Sequence, residues 1–380
     1  MYIVNHTSMS DKQTDRFFRQ SNIELLRIIA MLIIIAHHFA GHSEFEFSTN
    51  IISVNRLWIQ FIHIGGKIGL NLFVLISGYF LISKQSIKTD KIIKLWGEIF
   101  FYSITIFLFF VFFGLEPFST RELIKHIAPV TFSQWWFASA YFVLYLLAPF
   151  LNRLLRSFDK KQYIYFLALL LLLWSVIPTF TGQTFQSNYL LWFMVLYSVA
   201  GYIKIYGLST KVTSVKLIML SLVFTILTYL SVVLFDFMGT KISFFGTHAT
   251  FFYNMQRLPV FVISVLLFSG FSQLDMGYSK LINTISSATF GVYLIHDNGY
   301  VRPFLWKTVF QNASYSDSKL LIPYSLIIIA VVFLGCSMIE LIRIVLIEKS
   351  ALRVINKVSM FIDCKIKTSI SKKVSDRLRK

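Results

Sequence analysis

Between Asn22 and His42 the chain reads NIELLRIIAMLIIIAHHFAGH, an apolar run that nevertheless carries Glu24, Arg27, His37 and His38. A neutral imidazole titrating near pH 7 can take the proton of a hydroxyl, and a guanidinium offers planar, paired donors to an anion. Their setting is costly, because each ionisable group near the middle of a membrane-spanning helix costs about 2.5–3.5 kcal/mol. Helix geometry brings two of them together. Eleven residues separate Arg27 from His38, and eleven steps of about 100° return a helix to within about 20° of its starting face. The pair shares one stripe, spaced roughly 16 Å along the axis at about 1.5 Å per residue. His37 points about 80° away from it, so His38 is the predicted partner of Arg27. The bland alternative is a snorkelling arginine near a helix end with an interfacial histidine pair beyond it.

The elements that must position these groups are membrane helices. The 380-residue chain is 56% hydrophobic and only 14% charged, more apolar than a soluble core of this size requires. Its 40 Phe and 18 Tyr fit lipid-facing helices and interfacial belts. Cys336 lies in an apolar run and Cys364 in a basic tail, so they do not form a disulfide framework. A net charge of +18 raises nucleic acid as a partner. The cations sit in short segments between apolar runs, however, which is the positive-inside pattern and excludes that class. Residues 1–20 are polar and no cleavage-like site follows the first run, which reads as an uncleaved signal anchor.

Ten stretches are long enough to span, near 22–41, 64–83, 92–114, 134–155, 162–179, 188–206, 214–236, 257–272, 284–306 and 320–347. Lysines and arginines follow the second, fourth and sixth spans and fill the tail, whereas the intervening loops are poor in cations. The expected fold is therefore an all-α polytopic membrane protein of about ten spans with both termini cytoplasmic. It divides into a cytoplasmic segment 1–21, a membrane domain 22–348 and a basic tail 349–380, read as an amphipathic helix on the anionic inner leaflet. The Gly-rich 56–83 region predicts a short interfacial helix followed by a span. The ninth stretch, SSATFGVYLIHDNGYVRPFLW, predicts a break at His296, Asp297, Gly299 and Pro303, tolerated only against protein or a watery cavity.

Four segments, ELLRIIAMLIIIAHHF, GLNLFVLISGYFLI, WWFASAYFVLYLLAPFLN and FGVYLIH, occur in this order. Together they resemble the membrane-bound acyltransferase-3 family, bacterial integral membrane enzymes that acylate cell-surface glycans, over roughly residues 20–345. Arg27 and His38 fall on that family's Arg/His motif, and Glu24 where it usually has an acid. Asn71 stands where many members have Asp, Ser77, Gly78 and Tyr79 match a Ser-Gly-aromatic step, and His296 matches a late His. The basic run after the second span uses Lys where many members use Arg. The resemblance implies a multi-pass enzyme of the bacterial plasma membrane, in a stand-alone form without an extracytoplasmic esterase-like domain. It implies O-acyl transfer, above all O-acetyl, from a cytoplasmic acyl-CoA such as acetyl-CoA. The acceptor would be a hydroxyl of a capsule, exopolysaccharide or wall glycan, or of its lipid-linked precursor, with no permanently bound cofactor.

On that footing Arg27, Lys84, Lys88, Lys91 and Lys94 are expected to hold the donor's phosphates, and His38 to act as general base. The Ser77–Gly78 turn or Arg27 would face the developing oxyanion, and Glu24 would orient Arg27 at (i, i+3) spacing. Asn71, Tyr79, His63, Trp136, Arg257, His296 and Asp297 complete the candidate set. Each has a plainer reading: a cap for His63, an aromatic belt for Trp135 and Trp136, a snorkelling anchor for Arg257, a structural pair for His296 and Asp297. His37 reads as a packing histidine. His42, His126 and His248 are assigned to outer loops without ligand-like spacing, so no metal site is expected. A transporter or flippase for a lipid-linked glycan or small anion is the competing class, but two related halves with matching broken helices are not visible. A glycan polymerase would call for a long cationic outer loop, and these loops are short to moderate.

Overall fold

Lipid offers no partner to a peptide group, so each spanning segment must close its own hydrogen bonds. In the computed structural model, which describes residues 20–47, 51–207 and 212–378, the apolar stretches are accordingly helical, and no strand occurs among the described residues. The expected N-terminal segment 1–21 lies almost wholly outside them. The helices are α1 (Ser21–His42), α2 (Val54–His63), α3 (Gly65–Leu81), α4 (Thr89–Phe112), α5 (Thr120–Ile127) and α6 (Trp136–Ser157). Next comes α7 (Lys160–Leu171), which passes through a π-helical turn at Leu172–Val176 into α8 (Ile177–Thr181). Then follow α9 (Tyr189–Tyr206), α10 (Ser214–Gly239), α11 (Ser243–Thr247), α12 (Leu258–Ser272), α13 (Lys280–Ser287) and α14 (Thr289–His296). The chain ends with α15 (Val301–Pro303), α16 (Leu321–Arg343) and α17 (Lys349–Leu378).

Nine helical stretches among the described residues are long and apolar enough to cross a membrane. They match nine of the ten expected spans. The other, 284–306, is broken as its sequence predicts: α13 and α14 are followed by a turn through Asp297–Tyr300, by α15, and by a π-helical turn at Phe304–Val309. The Asn298 side chain accepts from the backbone N–H of Tyr300 at 2.9 Å, satisfying one of the groups the break exposes. The tail does not begin at a boundary. From α16 the chain runs through a π-helical turn at Ile344–Glu348 straight into α17, which lies along α4. There Thr89 Oγ1 donates to Asp363 Oδ1 at 2.6 Å.

α1 is the centre of the bundle, in contact with α2, α3, α12, α13, α14 and α16. α7 and α10 lie outside and turn Leu169, Leu172, Val223, Leu227 and Leu230 outward, as lipid-facing helices should. At one end of the bundle Asn22 Nδ2 donates to the carbonyls of Phe271 and Leu274, and Asn152 Nδ2 to those of Leu81 and Lys84. This end carries Lys84, Arg153 and Arg156. At the opposite end Asn312 Nδ2 donates to Ser43 Oγ at 2.8 Å.

The α1–α3 seam depends on glycine. A Cβ on Gly66 would run into Cβ and Cγ of His37, atoms at the root of a side chain that cannot swing away, and one on Gly69 would meet the carbonyl oxygen of Ala30. Gly66→Ala is therefore expected to separate α1 from α3 and cost about 1–3 kcal/mol, read as a lower melting temperature of the purified protein. Gly97→Ala in α4, with nothing within 4 Å of its new methyl, is expected to leave the melting temperature unchanged or higher.

Candidate active site

His38 lies one turn before the end of α1 and meets the break after α14. Its Nδ1 is 2.9 Å from His296 Nε2, and His296 Nδ1 is 2.6 Å from the Val292 carbonyl. These contacts fix the tautomers. A carbonyl only accepts, so His296 Nδ1 carries the hydrogen and its Nε2 is the acceptor. His38 Nδ1–H must then donate to it, which places the lone pair of a neutral His38 on Nε2. Asp297 Oδ1 stands 3.6 Å from His38 Nδ1 and is itself held by Arg302, with Nη2 at 2.8 Å and Nε at 2.9 Å. His296 and Asp297 are both buried. The Asp297 carboxylate thus stands beside His38 without taking its N–H, which goes to His296.

A second imidazole borders the same space. His37 Nδ1 donates to the His63 carbonyl at 2.5 Å, and the two rings lie 4.2 Å apart. Between α1, α3, α6 and α14 is a cavity of about 40 Å³ lined by His37, His38, Lys67, Trp136, Tyr293 and Asp297. One water needs about 10–15 Å³ by the same measure, so the space admits a group of a few heavy atoms. The Tyr293 side chain is buried, with its hydroxyl toward the Asp297 carboxylate. Lys67 forms no ion pair there among the described residues. Two imidazoles, a cation, a phenol hydroxyl and a carboxylate thus border one small space, groups of the kind that acyl or proton transfer uses.

Arg27 is not at this cavity. It shares the stripe with His38 but sits near the opposite end of α1, where its Nε is 3.5 Å from Glu24 Oε2. Glu24 is buried and also accepts from the Ser286 hydroxyl. His63 ends α2, and its carbonyl receives His37. Ser77 and Gly78 form no turn: both lie within α3, Ser77 Oγ donates to the Phe73 carbonyl at 2.8 Å, and Gly78 packs on Tyr197 and Ala200. The apolar run simply carries helix through them. Tyr79 has the Lys204 ammonium over its ring at 4.3 Å. Asn71 is fully buried, donating to the Met255 carbonyl and accepting from Trp192 Nε1, both at 3.0 Å. Such an amide ties three segments together. Trp136 lines the cavity and packs against Tyr189, ring centroids 4.3 Å apart and tilted by 40°. Arg257 is buried at the start of α12 with Phe251 against it at 4.1 Å, and its Nη1 has no partner among the described residues.

The basic run disperses. Lys84 and Lys88 are exposed, Lys91 lies 3.7 Å from Asp90, and Lys94 donates to Glu348 at 2.5 Å. Lys94 thereby joins a network in which Arg343 binds Glu340 through Nε and Nη2, each at 2.7 Å, and Tyr102 donates to Glu340 at 2.5 Å.

Two histidines assigned to loops are helical. His126 is in α5, buried, with Ser103 Oγ 2.9 Å from its Nδ1. His42 ends α1, and His38, His42 and Asp297 each offer a ligand atom within 4.8 Å of the others. Of the atoms in this group, Asp297 Oδ1 binds Arg302 and His38 Nδ1 binds His296. Lys67, Tyr293 and Arg302 escaped the sequence reading, and His42 is set aside there as a loop residue. Each stands three to five residues from a chosen one (His63, His296, Asp297, His38), the spacing of helix neighbours, and that was the available signal.

Fold and cavity together define a multi-span membrane protein with a histidine cluster and a small cavity toward one end of its bundle. A family model described as an acyltransferase domain matches residues 20–341, nearly all of the membrane region. The chain belongs to the acyltransferase-3 family and is an acyltransferase. No curated protein and no solved structure matches it.

The hydrogen-bond chain sets an expectation for spectroscopy. In protein labelled with ¹⁵N-histidine, His38 should resonate as the Nδ1–H tautomer. In His296→Ala that signal should give way to mixed tautomers, since the acceptor that fixes it is gone. An unchanged His38 spectrum in the variant would mean that His296 does not set the tautomer.

Proposed function

We propose that the protein transfers an acyl group, in the simplest case acetyl, from an acyl-CoA to a hydroxyl of a surface polysaccharide or its lipid-linked precursor. The setting is the bacterial plasma membrane, with both termini in the cytoplasm. One observation carries the reading: His38 Nδ1 is committed to His296, which leaves Nε2 as its free nitrogen, and His38 lines a cavity large enough for a hydroxyl and a short acyl group.

In this reading the acceptor hydroxyl oxygen attacks the thioester carbonyl carbon while His38 Nε2 takes its proton. The C=O electron pair moves onto oxygen, where Lys67 and the Tyr293 hydroxyl are the donors the cavity offers. Collapse of the tetrahedral adduct breaks the C–S bond. The thiolate leaves with the proton from His38, and the products are an ester and free CoA. Asp297, held by Arg302, favours the imidazolium that exists between the two proton transfers. The small cavity is the reason to favour acetyl over longer acyl groups. Arg27, with Glu24 beside it, and the lysines beyond α3 would serve the donor at the far end of the bundle, Lys94 only as far as Glu348 releases it.

Membranes containing the protein are incubated with radiolabelled acetyl-CoA and native glycan from the producing cell. The expected product is mild-alkali-labile label in the glycan. His38→Ala, at matched expression, is expected to lower transfer by about 10²-fold or more. His37→Ala should retain far more, because its Nδ1 serves the α2–α3 bend. No label from the folded, unaltered protein would exclude acetyl-CoA as donor.

A further inference from the structure

Where α3 and α6 end, a cavity of about 430 Å³ opens at the surface, lined by Lys84, Gln85, Asn152, Arg153 and Arg156 among others. It is a built pocket. Buried Asn152 donates to the carbonyls of Leu81 and Lys84 at 2.9 and 2.8 Å and accepts from the Tyr197 hydroxyl at 2.6 Å. That amide fixes the end of α3 against α6 and α9. Arg156 Nη2 reaches the Ser83 carbonyl at 3.4 Å, and Pro149 lies inside α6 about two turns earlier. Arg153 and Arg156 are three residues apart and so project from one side of α6. Three cations and two amide side chains border the space, and no carboxylate among the described residues lines it. Such walls fit phosphate oxygens, which guanidinium groups bind through paired charge-assisted hydrogen bonds.

The cavity is also in line with the histidines. Lys67 on α3 and Trp136 on α6 line the histidine cavity, and Lys84 beyond α3 and Arg153 on α6 line this one. Seventeen residues separate each pair, about 25 Å at about 1.5 Å per residue, which is most of the roughly 30 Å hydrocarbon thickness. The same two helices wall both ends.

We infer that this cavity binds the phosphate groups of the acyl donor, with Arg153 and Arg156 as its principal contacts, and that the donor's thioester arm runs from here between α3 and α6 toward His38. The inference rests on the proposed acyl-CoA reading. It moves the phosphate site from Lys88, Lys91 and Lys94 to arginines that the sequence pattern explains only as topology signals.

The test is direct binding. Full-length protein in nanodiscs of zwitterionic lipid is titrated with coenzyme A and with pantetheine, which lacks the phosphates. The paired variant Arg153→Gln/Arg156→Gln is expected to weaken coenzyme A binding about tenfold or more, equivalent to about 1.4 kcal/mol or more, and to leave pantetheine unchanged. Arg153→Lys/Arg156→Lys should recover part of the loss, which a misfolded pair would not, and Lys160→Gln on the same face should behave as the unaltered chain. Equal coenzyme A affinity in the glutamine variant overturns the assignment and leaves the acyltransferase reading intact. If that variant instead loses only retention of labelled phosphatidylglycerol, the cavity belongs to a lipid headgroup and the assignment falls. No coenzyme A binding by the unaltered chain removes the acyl-CoA reading and this site together.

Discussion

The hydrogen bond from His38 to His296 joins residues 258 positions apart and fixes the geometry on which the cavity depends. In water such a bond adds about 0.5–1.5 kcal/mol, but leaving a buried partner unsatisfied costs about 1–3 kcal/mol. Inside a bundle that faces lipid, the unsatisfied alternative is what the fold avoids. The pairing therefore acts less as glue than as a selector: among the ways α14 could end against α1, it favours the one that aligns the two rings. Asp297 and Arg302 extend the constraint, because the carboxylate beside His38 is itself held by two guanidinium nitrogens.

That alignment needs two permissions from the backbone. One is the glycine seam, where Gly65, Gly66 and Gly69 let α3 approach α1 closely enough for His37 to reach the end of α2. The other is the break after His296. A continuous helix there would carry Asp297 and Arg302 onto successive faces. The turn lets Arg302 fold back to Asp297, with Nη2 also donating to the Asp297 carbonyl at 3.1 Å. Backbone irregularity at membrane depth is tolerable because side chains and carbonyls of the turn satisfy one another.

Much of this was legible in the chain. Spans follow from apolar length, which lipid enforces strictly, and the broken stretch announced itself through His296, Asp297, Gly299 and Pro303. The stripe linking Arg27 with His38 follows from helix periodicity alone. What periodicity cannot give is which helix comes to which. The partner of His38 turned out to be His296, and Arg27 stays at the other end of α1 with Glu24. Asn71 looked like a substituted acid, yet its amide bonds Trp192 and Met255, segments whose proximity no local pattern encodes. Ser77–Gly78 looked like a turn because Gly suggests one. Close packing against Tyr197 and Ala200 is an equal reason for a glycine, and only the neighbouring helix reveals it.

Buried charge alone does not mark the working end of this molecule. Arg56 bonds Asp236 at 2.6 Å, and Arg343 grips Glu340 with two nitrogens while Tyr102 donates to the same carboxylate. Those groups are spent on each other, and removing one partner would strand the rest. At the histidine cavity the balance differs. One nitrogen of each of His37 and His38 is committed to holding the ring, and Lys67, with no ion pair among the described residues, borders the same space. Groups held rigid on one side and uncommitted on the other can meet charge that develops during a reaction without first giving up a bond. That asymmetry, rather than the number of ionisable residues, separates the cavity beside α14 from the ion-pair networks that hold the rest of the bundle together.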